Sequence, residues 1–167
     1  MNKEILREAL FYPGVNVEVY QAHDDNTHQI KDIESLIERK VDLLIVAPNE
    51  AEAITPVIEK AYDAGIPVIL VDRKINSKKY TAYVGADNYE IGRKAGEYIA
   101  DRLGGKGRVI EITGLRGSTP AVERHRGMME ALKAVPGVQV VASAEAGWFR
   151  QKAGVVMDTL LDARPQV

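Results

Sequence analysis

The sequence predicts an α/β fold built on a doubly wound parallel sheet. Two observations carry that expectation. Segments with helical spacing alternate with short apolar strands along the whole chain, the order that lays helices on a parallel sheet. The stretch Leu43-Leu44-Ile45-Val46-Ala47 is apolar at every position instead of every second one, as a strand covered on both faces must be.

Taken in order, Ile5, Leu6, Ala9, Leu10 and Tyr12 recur at helical spacing, and Pro13-Gly14 stops that helix. Val15, Val17 and Val19 alternate with polar residues and predict a strand to Gln21. Asp25-Asn26-Thr27 supplies capping oxygens for a helix whose apolar face is Ile30, Ile33, Leu36 and Ile37. After the strand at 43–47, Thr55-Pro56 reads as a cap with proline at the first helical position, and Ala64-Gly65 closes that helix. Strands follow at 66–71 and 82–86. Asp87 and Glu90 have capping-box spacing and open a helix from Tyr89 to Leu103. Gly104 to Gly107 turns into a strand at 108–113, Thr119-Pro120 starts a helix that Pro136-Gly137 ends, and a strand at 138–144 leads to a helix at 151–163. The chain opens on a helix and closes where another strand is due to begin, so it reads as part of a larger fold.

Composition narrows the function. The 167 residues hold one ordinary domain or two small lobes. With 46% hydrophobic and 28% charged residues the chain is a globular one, and no apolar run approaches the ~18 residues of a membrane span. A net charge of -2 argues against a nucleic-acid surface. The absence of cysteine excludes thiolate catalysis, zinc ribbons and disulfide scaffolds. The first five residues lack the basic and apolar regions of a secretory signal.

Open α/β sheets bind ligands beyond the carboxyl ends of their strands, so the residues after each strand are the candidates. Asp72-Arg73 sets acceptors beside a rigid five-donor fork at the mouth of a strand, which suits a hydroxyl-rich ligand. Position alone leaves a surface ion pair equally open. Arg124 lies one turn into a helix, where a solvated basic residue is the plainer reading. Trp148, between Gly147 and Phe149-Arg150, reads as a loop aromatic able to stack on a sugar face, with a core position as the alternative. Gly114 to Ser118 lacks the Gly-Lys-Ser/Thr ending of a phosphate loop, and Ser118 is in no Gly-x-Ser-x-Gly elbow. His23, Asp24, Asp25 and His28 read as loop solvation and capping instead of a metal site, and His125 as solvent-facing. No catalytic residue, metal or cofactor is expected.

In combination these positions resemble the type I periplasmic binding proteins, the superfamily of ribose-binding proteins and LacI-type effector domains. The likeness spans the chain and rests on Val41 to Asn49, on Gly65 to Arg73, on Val84-Gly85-Ala86-Asp87-Asn88 with Gly92, on Glu123 to Met128, and on Gly147-Trp148-Phe149. Tyr80 to Gly92 and Pro48 to Ala51 are most similar to periplasmic sugar-sensing domains of hybrid two-component histidine kinases. The resemblance implies a monosaccharide or related polyol held between two lobes, with Asp72 and Arg73 contacting it from one lobe and Arg124 and Trp148 from the other. It implies residues 1–86 as a first lobe lacking its opening strand, a hinge at Ala86 and Asp87, and 87–167 as the start of a second lobe. Closure would signal to a fused kinase from the periplasm. A soluble import receptor and a repressor effector core are the alternatives. With the partner strand of Val15 to Gln21 missing, unpaired edges predict a dimer or larger assembly.

Overall fold

The computed structural model describes residues 2–164. Its element order is α1 (Asn2–Ala9), α2 (Asn26–Glu38), β1 (Leu44–Val46), α3 (Ala51–Asp63), β2 (Val68–Val71), β3 (Ala82–Val84), α4 (Asn88–Arg102), β4 (Gly107–Thr113), α5 (Thr119–Lys133), β5 (Val138–Glu145) and α6 (Arg150–Asp162). The predicted α/β class holds. Every strand pair is parallel, in one sheet ordered β1-β2-β3 and a second made of β4 and β5. The strand expected to follow Ala163 falls, from residue 165 onward, outside the described residues.

Each sheet has its own core. Leu44, Val46, Val68 and Leu70 pack against Ile33 of α2 and Ile54, Val57, Ile58 and Ala61 of α3. Alternation decides which strand residues those are, because successive side chains point to opposite faces. Ile45, between two buried neighbours, is 44% exposed. The double-sided burial expected of this strand is therefore not met among the described residues: α2 and α3 cover one face, and α1 buries none of its residues.

In the second half Met128 and Leu132 of α5 pack with Ala100 of α4 and Val138 of β5. Helices α4 and α5 come unusually close. A Cβ on Gly92 would overlap the Arg124 carbonyl, and one on Gly127 would overlap the Tyr89 carbonyl. These two glycines are required because backbone meets backbone there.

Three local expectations are corrected. Val15 to Gln21 forms no strand. It runs extended with Val15, Val19 and Tyr20 exposed, since no neighbouring strand offers it a ladder. It is held at Glu18, whose carboxylate takes two hydrogen bonds from Arg39 at 2.6 and 2.9 Å. Helix α3 starts at Ala51, so Thr55 is no cap and Pro56 lies inside the helix. Thr55 Oγ1 instead donates to the Ala51 carbonyl at 2.6 Å and accepts from the Asn76 N–H at 2.9 Å. The Asp87 box is half formed: Asp87 accepts from the Glu90 N–H at 3.0 Å, while the Glu90 carboxylate turns to Arg93.

Candidate functional site

Segment 72–81 carries Asp72 and Arg73 and joins two parallel strands without a helix. Such a long irregular crossover keeps one shape only if it is tied down. Ile75 is buried in the first core, the Ser77 hydroxyl donates to Glu59 at 2.7 Å, and Lys79 pairs with Asp63 at 2.7 Å. Helix α3 thus fixes the segment along its length.

Arg73 is held more closely still. Its side chain is 18% exposed, and Nη1 donates to the Asn49 carbonyl at 2.8 Å and to Asn49 Oδ1 at 3.3 Å. Asn49 is itself buried. Its Nδ2 donates to the Asp24 carbonyl and to Asn26 Oδ1, and its N–H donates to Gln29 Oε1 at 2.9 Å. Asp72 stands 3.9 Å from Arg73 Nε, with its own side chain 65% exposed. One edge of the guanidinium is therefore locked to protein.

Arg124 and Trp148 come together in the second half. Arg124 Nε donates to Asn88 Oδ1 at 2.9 Å, and its guanidinium lies 5.8 Å from the centre of the Trp148 ring. Asn88 is fully buried, with Nδ2 donating to the Ala86 carbonyl at 3.3 Å. Trp148 follows β5 and lies against Gly114, so that a Cβ on Gly114 would strike the indole. The ring is a half-exposed loop aromatic and not a core residue. Asp72 and Trp148 also share positive φ, +65° and +70°. His23, Asp24 and Lys40 share that conformation, so it does not by itself single out a binding position.

The two pairs belong to different sheets, and the neighbours of Arg73 and Arg124 in sequence join them. Lys74 Nζ donates to Glu123 Oε1 at 2.9 Å, and the Lys74 N–H donates to Thr119 Oγ1 at 2.8 Å. The Ala51 N–H donates to the Gly117 carbonyl at 3.2 Å nearby. The bond to Glu123 raises the Lys74 pKa against the lowering effect of burial. Burial likewise raises the pKa of Tyr83, whose ring lies 5.2 Å from Lys74 Nζ.

Sequence reasoning singled out the four candidates but missed their supports. Asn49 and Asn88 stood among post-strand residues without a role, Asn26 was read only as a cap, Glu123 only as part of the resemblance, and Gln29 not at all. Hydrogen-bond partners scattered over dozens of positions leave no local signal. His125 is exposed as expected, and its Nδ1 lies 2.9 Å from Glu111, which also accepts from Ser143. Two surface grooves, of about 510 and 370 Å³, lie along α4 and α5 and beside α6, and none of the four candidates lines either.

Residues 3–167 match the model of the periplasmic binding protein domain. The chain belongs to that family. Among curated relatives it is 34% identical to the ribose import binding protein of Bacillus subtilis, over 92% of this chain and 50% of that protein. It is 32% identical to a galactofuranose-binding protein of Escherichia coli, over 90% of this chain and 48% of that protein. The chain spans about half the length of the curated relatives it matches. Among solved structures, the fructose-binding periplasmic domain of a hybrid two-component system is 55% identical, with a TM-score of 0.95 over 99% of this chain and 55% of that one. A myo-inositol-binding protein of Caulobacter is 30% identical, with a TM-score of 0.90 over 97% of this chain and 55% of that one.

Proposed function

We propose that this periplasmic binding protein domain senses a monosaccharide or related polyol in the periplasm and signals by closure of two lobes to a histidine kinase on the same polypeptide. The observation that carries the reading is the likeness to the fructose-binding domain of a hybrid two-component system, 55% identical along nearly the whole chain. The first lobe comprises residues 1–86, the second begins at 87, and Ala86-Asp87 is the hinge between them.

The site geometry supports this. Arg73 Nη2 makes no hydrogen bond to protein among the described residues, and a rigid guanidinium presents its donors to hydroxyls in fixed geometry. Asp72 supplies the acceptor, Arg124 reaches in from α5, and the half-exposed Trp148 stacks on the apolar face of the ring. A ligand touching both lobes favours the closed state by its differential affinity for it. The relatives that the chain resembles are sugar-binding proteins, which supports binding over catalysis.

The import relatives favour a second reading, a soluble receptor that delivers sugar to a transporter. One experiment separates the two. Full-length protein is titrated calorimetrically with D-fructose, D-ribose and myo-inositol, and autophosphorylation is then followed with and without the sugar that binds. Sugar-dependent phosphorylation supports the sensor, binding without any kinase activity supports the receptor, and no binding by any of the three overturns both.

A further inference from the structure

Three contacts cross between the two sheets. Lys74 donates its ammonium to Glu123 and its backbone N–H to Thr119, and the N-terminal turn of α3 reaches Gly117 through the Ala51 N–H. The Lys74 side chain is 34% exposed and that of Glu123 is 19% exposed, so the ion pair is half withdrawn from water. Glu123 Oε2 is buried and has no hydrogen-bond partner among the described residues.

From this arrangement we infer that Lys74 and Glu123 form a latch between the lobes, which holds a fraction of the unliganded protein closed and so sets sugar affinity without touching the sugar. The inference rests on the two-lobe reading above. Its physics is simple. A ligand that binds only the closed form has an apparent dissociation constant equal to the intrinsic one divided by the closed fraction. Any contact made only on closure therefore enters the affinity directly.

The position of the pair sharpens the point. Lys74 follows Arg73 and Glu123 precedes Arg124, so closing the latch draws two proposed sugar-binding arginines toward one boundary. The two partners are not equivalent. Replacing Lys74 leaves a carboxylate half buried with neither oxygen satisfied, which penalises the closed form. Replacing Glu123 with glutamine keeps an acceptor for Lys74 and removes only the charge. The lysine change must open the lobes further than the glutamine change. Lys79, paired with Asp63 inside the first lobe, has the same chemistry but bridges nothing.

The test begins without sugar. In full-length protein, spin labels are placed on cysteines introduced by Ala64→Cys and Lys133→Cys, both exposed positions in a segment that contains no cysteine. Distances are then read by double electron–electron resonance. The wild-type sequence should show a short-distance population that shrinks in E123Q, shrinks further in K74M and is unchanged in K79M. Identical distributions in the wild type and in both latch variants would overturn the latch. D-fructose titrations should then show an apparent affinity roughly three- to tenfold weaker in K74M, as expected for a partly exposed charge pair. Should K74M fail to fold by circular dichroism, E123Q alone decides. If no sugar binds, the sensing proposal fails, while the sugar-free distances still decide the latch.

Discussion

Arg73 shows why charge alone does not describe the proposed site. Its Nη1 is committed to Asn49, and its Nε faces Asp72 at 3.9 Å. Lysine keeps the charge but presents neither the fork nor the bond to Asn49. In full-length protein, Arg73→Lys should weaken sugar binding by about 1–3 kcal/mol, the effect of leaving a buried partner unpaired. Calorimetry with an unchanged affinity would remove Arg73 from the site. Trp148 makes the complementary case. Its indole rests on Gly114 beside the Arg124 guanidinium and is half exposed. Its fluorescence should shift on sugar addition, and Trp148→Ala should weaken binding with a change in melting temperature of no more than a few degrees. Unfolding on truncation would return the residue to a structural role.

Helices α4 and α5 are the tightest junction in the chain, and glycine permits it. Gly92→Ala would drive a methyl group into the Arg124 carbonyl, displacing the helix that carries Arg124. Forced packing of this kind costs about 3 kcal/mol, a fall in melting temperature of roughly 6–12 °C for a chain of this size. Gly154, inside α6 with open space around it, is the control. Gly154→Ala should be neutral or stabilising by up to about 1 kcal/mol through helix propensity. The extended segment before α2 depends on charge instead. Hydrogen bonds from Arg39 hold the Glu18 carboxyl below its ordinary pKa, and those from Arg93 do the same for Glu90. A lowered folded-state pKa means a contribution fully present above the unfolded value, about 4.3, and lost as pH falls through the folded one. Arg39→Ala should therefore lower the melting temperature at pH 7 and have a smaller effect near pH 2.5. A difference that persists undiminished in acid would show that Arg39 acts through packing.

For the whole molecule, the exposed strand material is the main consequence. β1 stands at the edge of its sheet among the described residues, and Val15 to Gln21 pairs with no strand. Edges of this kind pair with whatever strand they meet. The 167-residue chain studied alone should self-associate through these segments into a dimer or larger assembly. Light scattering that returns a monomer mass over a wide concentration range, together with cooperative unfolding, would disprove it.

The alternation of elements and the order of the strands along the chain were legible in the residues, because apolar spacing and caps are local signals. Asp25 and Asp87 cap α2 and α4 as their positions predict, accepting from His28 and Glu90. Asp72, Arg73 and Trp148 follow strands, where a doubly wound sheet presents its ligand positions, whereas Arg124 lies inside α5 and was singled out by resemblance alone. What failed locally is equally instructive. Thr55-Pro56 has the form of a helix start, yet the chain is already helical from Ala51 and the threonine hydroxyl serves Asn76 instead. Val15 to Gln21 has the alternation of a strand, but a strand exists only when a neighbour completes its hydrogen bonds. The anchoring of Arg73 on Asn49, the pairing of Arg124 with Asn88 and the bridge from Lys74 to Glu123 join residues 24, 36 and 49 positions apart. Spacing along the chain determines which way a side chain points. Only the packed fold decides what it meets there, because hydrogen bonds over such separations depend on how helices and sheets dock and not on any neighbour in sequence.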